Sequence, residues 1–264
     1  MLYTENALIL SNLKVRENCF KMKLACPKIA ERAKPGQFVE IGCGDLNYAP
    51  LLKRPISVHN VEKGVLEIIY YVVGQGTDLL SKKVPGEYAE TVGSLGNGFA
   101  LNDTEYHILV GGGYGVPPMY YLAKKLAEKT DPENIFVCLG AREEKLLLCR
   151  EDFMDLGVSL CVATDDGSFG IKGFVTDSVK MILENNKKTV SLYSCGPAVM
   201  MKNLYNLCKD YDSVKDIQCS MEHIMACGVG VCNGCVLKIK ENDREIYKRV
   251  CKDGPVFRGA EIVW

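Results

Sequence analysis

"EYHILVGGGYGVPPMYYLAKKLAEK", residues 105–129, decides the fold. An apolar run ends in a cluster of glycines, two prolines follow, and apolar residues then recur at the three- and four-residue spacing of a helix face. Proline is favoured in the first turn of a helix, so strand, turn and helix are marked in order. Gly111, Gly112, Gly113 and Gly115 lie between them, where glycine lets backbone amides approach a phosphate. Val116 stands where the last glycine of G-x-G-x-x-G would fall. That departure argues against an ordinary Rossmann dehydrogenase and for another nucleotide-binding lineage.

Downstream the texture repeats in "NIFVCLGAREEKLLL", "GVSLCVATDD", "GFVTDSVKMILENN" and "TVSLYSCGPAVMMKNLYNLCKDY". Strands alternating with helices predict a parallel sheet, so residues 101–215 are expected to form an α/β nucleotide domain. Cys195, Gly196 and Pro197 join a strand to a helix near its other edge. A cysteine there either borders a nicotinamide or supplies the small side chain that a tight strand end needs. Arg142, Glu143 and Glu144 follow the second strand, where an acidic residue favours NAD and an arginine tolerates NADP. Both kinds are present, with a lean to NAD.

Upstream, "KMKLAC", "KPGQFVEIGC", "RPISVHNV", "VLEIIYYVV" and "GEYAETV" are short alternating runs broken by turn signals. Residues 1–100 therefore read as an antiparallel β-barrel. Residues 216–264 form a third segment, too small for a full core and expected to be tied together by metal.

That segment contains "ACGVGVCNGCVLKI", residues 226–239, and ends in "CKDGPVFRGAEIVW". Cys227, Cys232 and Cys235 follow C-x4-C-x2-C spacing, and Cys251 comes after a further fifteen residues. This is the ligand pattern of a plant-type [2Fe-2S] cluster, in which each iron takes two thiolates. Gly228, Gly230 and Gly234 suit a loop that wraps such a cluster with its amides close to sulfur. Structural zinc commonly shows two C-x2-C pairs, whereas one is present here. A redox dithiol at Cys232 and Cys235 leaves Cys227 and Cys251 unexplained. The other nine of the 13 cysteines lie mostly in apolar strands and are read as core.

A cluster passes electrons singly while a nicotinamide exchanges a hydride, so a flavin is expected between them. "RPISVHN" offers Arg54 for a diphosphate, Pro55 to fix the backbone and the Ser57 hydroxyl for the flavin. "VVGQGTDLL" adds Gly74, Gly76 and Thr77 at the start of a helix. "SLGNGF", residues 94–99, is a third glycine turn, with Phe99 able to cover a ring. His59, His107 and His223 are scattered and take ordinary packing or surface roles.

The net charge of -1 does not call for nucleic acid, and no run approaches the ~20 apolar residues of a membrane span. "MLYTENALILSN" lacks a signal-peptide pattern, which predicts a cytoplasmic protein. In that compartment the cysteines are not a disulfide framework.

Taken in order, "KRPISV", "GQGT", "GSLGNGF", "LVGGGYGVPPMYYLAKKL", "ATDDGSFGIKGFVTD", "SCGPAVMM", "MACGVGVCNGCV" and "RVCKDGPVF" span essentially the whole chain. They resemble the iron-sulfur, electron-transfer subunits of class B dihydroorotate dehydrogenases, within the ferredoxin-reductase-like superfamily. The resemblance implies FAD, a [2Fe-2S] cluster and NAD+ as acceptor. It also implies an FMN-containing catalytic partner, in a complex of two subunits of each kind, serving pyrimidine biosynthesis. Carried over by position, FAD contacts fall on Arg54, Pro55, Ile56, Ser57, Ile69, Tyr70, Tyr71, Gly76 and Thr77. NAD contacts fall on Gly111, Gly112, Gly113, Gly115, Cys195, Gly196 and Pro197, and cluster ligands on Cys227, Cys232, Cys235 and Cys251. Tyr71 stands where the family is expected to carry arginine, and His223 and Ile224 are less charged than its usual residues. Two other readings share the modules: the small subunit of a ferredoxin-linked transhydrogenase, in which an acidic cluster ligand is expected, and a sulfite- or sulfide-type reductase. A zinc-stabilised binding protein without redox activity is the reading from a different class.

Overall fold

The computed structural model describes residues 2–44, 49–242 and 244–264. They group into two compact units that share the C-terminal segment. The first comprises 1–98, 222–237 and 248–255, the second 99–221, 238–247 and 256–264.

In the first unit, β1 (Tyr3–Arg16), β2 (Cys19–Ala25), β3 (Phe38–Ile41), β4 (Arg54–Glu62), β5 (Val65–Tyr71) and β6 (Tyr88–Leu95) close into a six-stranded barrel. Its order is β1-β2-β5-β4-β3-β6, and every neighbouring pair is antiparallel. Alternation drives the closure: Ala7 and Ile9 of β1, Met22 and Leu24 of β2 and Leu66 and Ile68 of β5 are buried at every second position. A closed sheet leaves no unpaired edge. Two helices, α1 (Pro27–Ala30) and α2 (Gln75–Lys82), interrupt the strands.

In the second unit a seven-stranded sheet runs β10-β9-β8-β7-β11-β12-β15. Its strands are β7 (Tyr106–Gly112), β8 (Ile135–Ala141), β9 (Ser159–Thr164), β10 (Ile171–Lys172), β11 (Val190–Cys195), β12 (Val214–Ser220) and β15 (Val256–Arg258). All neighbours are parallel except β15, which returns antiparallel to β12. The helices are α3 (Val116–Ala127), α4 (Arg150–Asp155), α5 (Val175–Glu184) and α6 (Ala198–Cys208). Because helices cover it, the sheet uses near-continuous apolar strands such as "IFVCLGA" rather than alternating ones. From β7 the chain proceeds outward through β8 and β9, then returns to lay β11 on the other side of β7. Strand order therefore reverses between β7 and β11, the crevice where open α/β sheets receive ligands.

The hairpin β13 (Val236–Glu241) and β14 (Arg244–Arg249) follows the cysteine-rich loop. Among the described residues no helix is long and apolar enough to cross a membrane.

Candidate functional site

The first unit brings the four cysteines together. Cys227 and Cys232 hydrogen-bond through their side chains, and so do Cys235 and Cys251. Backbone amides aim at the sulfurs. Val231 N–H and Cys232 N–H donate to Cys227 Sγ at 3.4 and 3.5 Å, and Gly234 N–H donates to Cys232 Sγ at 3.4 Å. Cys251 N–H donates to Cys235 Sγ at 3.4 Å. Amides turned on thiolate sulfur are what an anionic metal-thiolate centre needs around it. Burial opposes ionisation of Cys227, yet the N–H groups of Cys232, Val229 and Val231 and the Cys232 thiol bring it down to about 6. Cys251, by contrast, is pushed up to about 12 by burial and the neighbouring Cys235 thiol. Cys235 and Cys251 are buried while Cys232 is exposed, so the set has one open side.

The return strand holds the loop. Arg249 Nη1 donates to Gly230 O at 2.9 Å, Arg249 Nε pairs with Asp253 at 3.0 Å, and Val250 N–H donates to Cys235 O at 2.8 Å. Gly228 and Gly230 adopt φ of +64° and +83°, the left-handed region that favours glycine. A Cβ on Gly230 would lie 2.8 Å from Lys252 Cβ.

Glu40 of β3 is the residue that sequence reasoning missed. A Cβ on Gly228 would lie 2.5 Å from its Cγ and Oε1. Glu40 is 2% exposed, and among the described residues neither carboxyl oxygen has a hydrogen-bond partner. Burial first, then the Cys227 thiol, raises its carboxyl to about 7 against the pull of Lys53 and Arg54. It pairs in register with Pro55, so the cysteine loop and the "RPIS" strand meet around one buried carboxyl.

The "RPIS" and "GQGT" motifs also converge. A Cβ on Gly76 would lie 2.6 Å from Arg54 Nε and 2.8 Å from its Cζ, so only glycine lets the guanidinium lie across the start of α2. Arg54 Nη1 donates to Leu52 O at 2.6 Å. Thr77 Oγ1 accepts from Val73 N–H at 2.9 Å and Gly74 N–H at 3.3 Å and donates to Gly74 O at 3.0 Å, locking the turn. A guanidinium above a helix start in a cradle that a Cβ would fill fits a diphosphate. Pro55, Ile56 and Ser57 are half-buried. Ile69 and Tyr70 are buried at 8% and 2% exposure, and Tyr70 stacks on Phe20 and donates its hydroxyl to Asn12 Oδ1 at 2.9 Å. Tyr71 is half-buried and hydrogen-bonds the Cys19 thiol.

The third glycine turn serves packing. A Cβ on Gly96 would lie 2.5 Å from Pro255 Cδ, and Asn97 Nδ2 donates to Asp253 O at 2.9 Å, so this turn grips the segment just after Cys251. Phe99 is buried edge-on against Tyr193, ring centroids 5.7 Å apart; the ring it covers belongs to the protein's own core.

In the second unit, Gly111–Gly115 and Cys195–Pro197 meet at the switch point, with Cys195 in register with Gly111. A Cβ on Gly115 would lie 2.2 Å from Cys195 C and O, and one on Gly196 would lie 2.9 Å from Gly112 O. Two main chains thus touch without side chains between them. The Cys195 side chain is buried, 2% exposed, so its main chain forms this contact. Helix α3 begins at Val116, with Pro117 and Pro118 in its first turn. Proline has no N–H, so anion-directed donors here come from the glycine turn rather than from that turn of helix. Glu143 pairs with Lys145 at 3.0 Å, Glu144 lies 3.8 Å from Arg150, and Glu144 N–H donates to Ser168 Oγ at 2.8 Å.

Comparison with known proteins agrees with these parts. The family profile described as iron-sulfur cluster binding domain of dihydroorotate dehydrogenase B matches residues 222–263, and the oxidoreductase NAD-binding domain matches 109–205. The chain is 38% identical over 98% of both chains to the dihydroorotate dehydrogenase B (NAD(+)) electron transfer subunit of Desulforamulus reducens. It is 37% identical, again over 98% of each, to that of Fusobacterium nucleatum. Among solved structures, a chain of an NADH-dependent reduced ferredoxin-NADP oxidoreductase superposes with TM-score 0.83 at 32% identity, covering 98% of this chain and 90% of that one. The ferredoxin NADP+ reductase of Neisseria gonorrhoeae shares the fold at TM-score 0.66 and 16% identity, over 80% and 92%.

Proposed function

The chain belongs to the family of dihydroorotate dehydrogenase B electron transfer subunits, and from that premise we propose that it carries electrons from a catalytic partner to NAD+ in pyrimidine biosynthesis. The observation that carries this reading is the convergence of Cys227, Cys232, Cys235 and Cys251 in the unit that also holds the Arg54–Gly76 cradle. A [2Fe-2S] cluster held there would supply single-electron chemistry, and FAD held beside Arg54 would supply the exchange between single electrons and a hydride. The four thiols hold the cluster and the amides of residues 231, 232, 234 and 251 stabilise its charge. Arg54 and the α2 start hold the FAD diphosphate, with Pro55, Ile56, Ser57, Ile69, Tyr70, Tyr71, Gly76 and Thr77 as the remaining FAD set. Gly111, Gly112, Gly113, Gly115 and the 195–197 turn hold NAD.

The partner is an FMN-containing dihydroorotate dehydrogenase subunit, two of each forming the complex, in the cytoplasm. Beside the cysteines, Ile224 and Val231 are 87% and 78% exposed, apolar surface that supports a docked protein. The test is co-expression with that catalytic subunit, followed by visible spectra, iron and flavin analysis, and an assay of dihydroorotate-dependent NAD+ reduction. Co-purification with gained activity is expected; neither occurring refutes the proposal. A second reading, the small subunit of a transhydrogenase, is favoured by the 32% identity to the ferredoxin-NADP oxidoreductase chain. It predicts NADH-dependent NADP+ reduction with reduced ferredoxin when the chain is joined to a larger flavoprotein, and no response to dihydroorotate.

A further inference from the structure

The nucleotide unit contains a pair of cysteines that the electron path does not use. Cys138 on β8 and Cys161 on β9 stand directly opposite each other in the parallel ladder. Residues paired this way point to the same face of the sheet, and neighbouring strands lie ~4.8 Å apart. That spacing falls within the roughly 4.4–6.8 Å between Cα atoms that a disulfide spans. The two side chains meet in a thiol–thiol hydrogen bond.

Access divides their roles. Cys138 is fully buried, whereas Cys161 is half-exposed. The shared hydrogen bond and burial hold the Cys138 thiol protonated, while the same bond brings Cys161 down to about 7 against burial. Burial pushes the thiols of Cys26 and Cys208 up to about 12. The pair thus combines a reachable nucleophile with a resolving thiol sealed behind it.

We infer that Cys138 and Cys161 form a vicinal dithiol that closes to a disulfide when the protein meets an oxidised low-molecular-weight thiol such as glutathione disulfide. Cys161 thiolate attacks one sulfur of the oxidant, forming a mixed disulfide and releasing one molecule of its thiol. Cys138 then loses its proton and attacks the Cys161 sulfur, expelling the second thiol. The two protein thiols give up two electrons and two protons, and one oxidant disulfide becomes two thiols. In a reducing compartment such a bond is transient, the mark of a redox-sensing rather than a structural disulfide.

The test uses the full-length, cofactor-loaded protein, exposed anaerobically to glutathione disulfide, denatured in N-ethylmaleimide, digested and mapped by mass spectrometry. The expected product is one linked peptide pair containing Cys138 and Cys161, two hydrogens lighter than the dithiol form and released by dithiothreitol. Cys161→Ser should abolish it, and Cys138→Ala should stop the reaction as a glutathione adduct on Cys161. The wild-type map decides the matter even if a variant folds poorly. A stable glutathione adduct on wild-type Cys161, a Cys138–Cys208 bond, or full recovery of both thiols in alkylated form would overturn the inference.

Discussion

Gly113 and Gly115 occupy one turn yet should fail for different reasons when replaced by alanine. Gly115 has φ of −82°, open to any residue, but its Cβ would sit 2.2 Å from Cys195 C and O and 2.5 Å from Gly196 N. Ordinary contact begins near 3.4 Å, so one main chain must withdraw by about 1 Å. Cys195 is hydrogen-bonded between β7 and β12, in register with Gly111 and Ser220, and cannot move alone. Overpacking of this kind costs about 1–3 kcal/mol, a strand-end hydrogen bond about 1 more, and the loss of glycine's unfolded-state freedom returns roughly 0.5–1. Gly115→Ala should therefore cost about 1–3.5 kcal/mol. Gly113 has φ of +53° and nothing within 4 Å of its Cβ position. Only the left-handed conformation is penalised there, about 1 kcal/mol after the same return. If the loss falls on the ligand-competent turn, NADH affinity drops about 5- to 300-fold for Gly115→Ala and about tenfold or less for Gly113→Ala. Urea denaturation and anaerobic NADH titration read the two quantities. Gly113→Ala proving as damaging as Gly115→Ala, or Gly115→Ala leaving both unchanged, would refute the argument.

Gly228→Ala combines a +64° φ with a Cβ 2.5 Å from Glu40, so it should cost about 2–4 kcal/mol and lower iron bound per chain. Adding Glu40→Ala should restore part of that loss; no restoration would mean that contact is not its source. Cys232→Ala should remove electron transfer through the cluster while NADH still bleaches the flavin band in stopped-flow spectra, and loss of both with the fold retained would show that the two sites are not separable. Glu40, raised to about 7 chiefly by burial, contributes stability that is full below its ordinary 4.5 and lost as pH rises through 7. Glu40→Gln should accordingly gain about 2–3 kcal/mol on wild type between pH 5 and pH 8 in urea titrations, whereas parallel pH profiles would count against a neutral buried carboxyl.

Much of the architecture lay in local pattern. Alternation in "KMKLAC" and "VLEIIYY" marked barrel strands, apolar runs in "IFVCLGA" marked a covered parallel sheet, and the spacing of Cys227, Cys232 and Cys235 marked a thiolate loop. These signals are legible because pleat period, helix period and ligand spacing act over a few residues. Glu40 was not legible, since a glutamate in "GQFVEIG" reads as an outward strand position until Gly228 closes over it. Nor were the stacking of Tyr70 on Phe20 and the closeness of the "SLGNGF" turn to Pro255 legible, since both join residues distant in the chain.

By itself, then, the chain's one-dimensional order determined which chemistry it is equipped for: four thiols in cluster spacing, a glycine turn after a strand, an arginine-proline strand beside a glycine turn. Tertiary structure alone decided that the C-terminal segment is shared between two units, and that a buried carboxyl stands against the cysteine loop. It also paired Cys138 with Cys161. Each of these joins residues far apart in the chain, and such pairings are set by loop closure and packing, which no local spacing encodes.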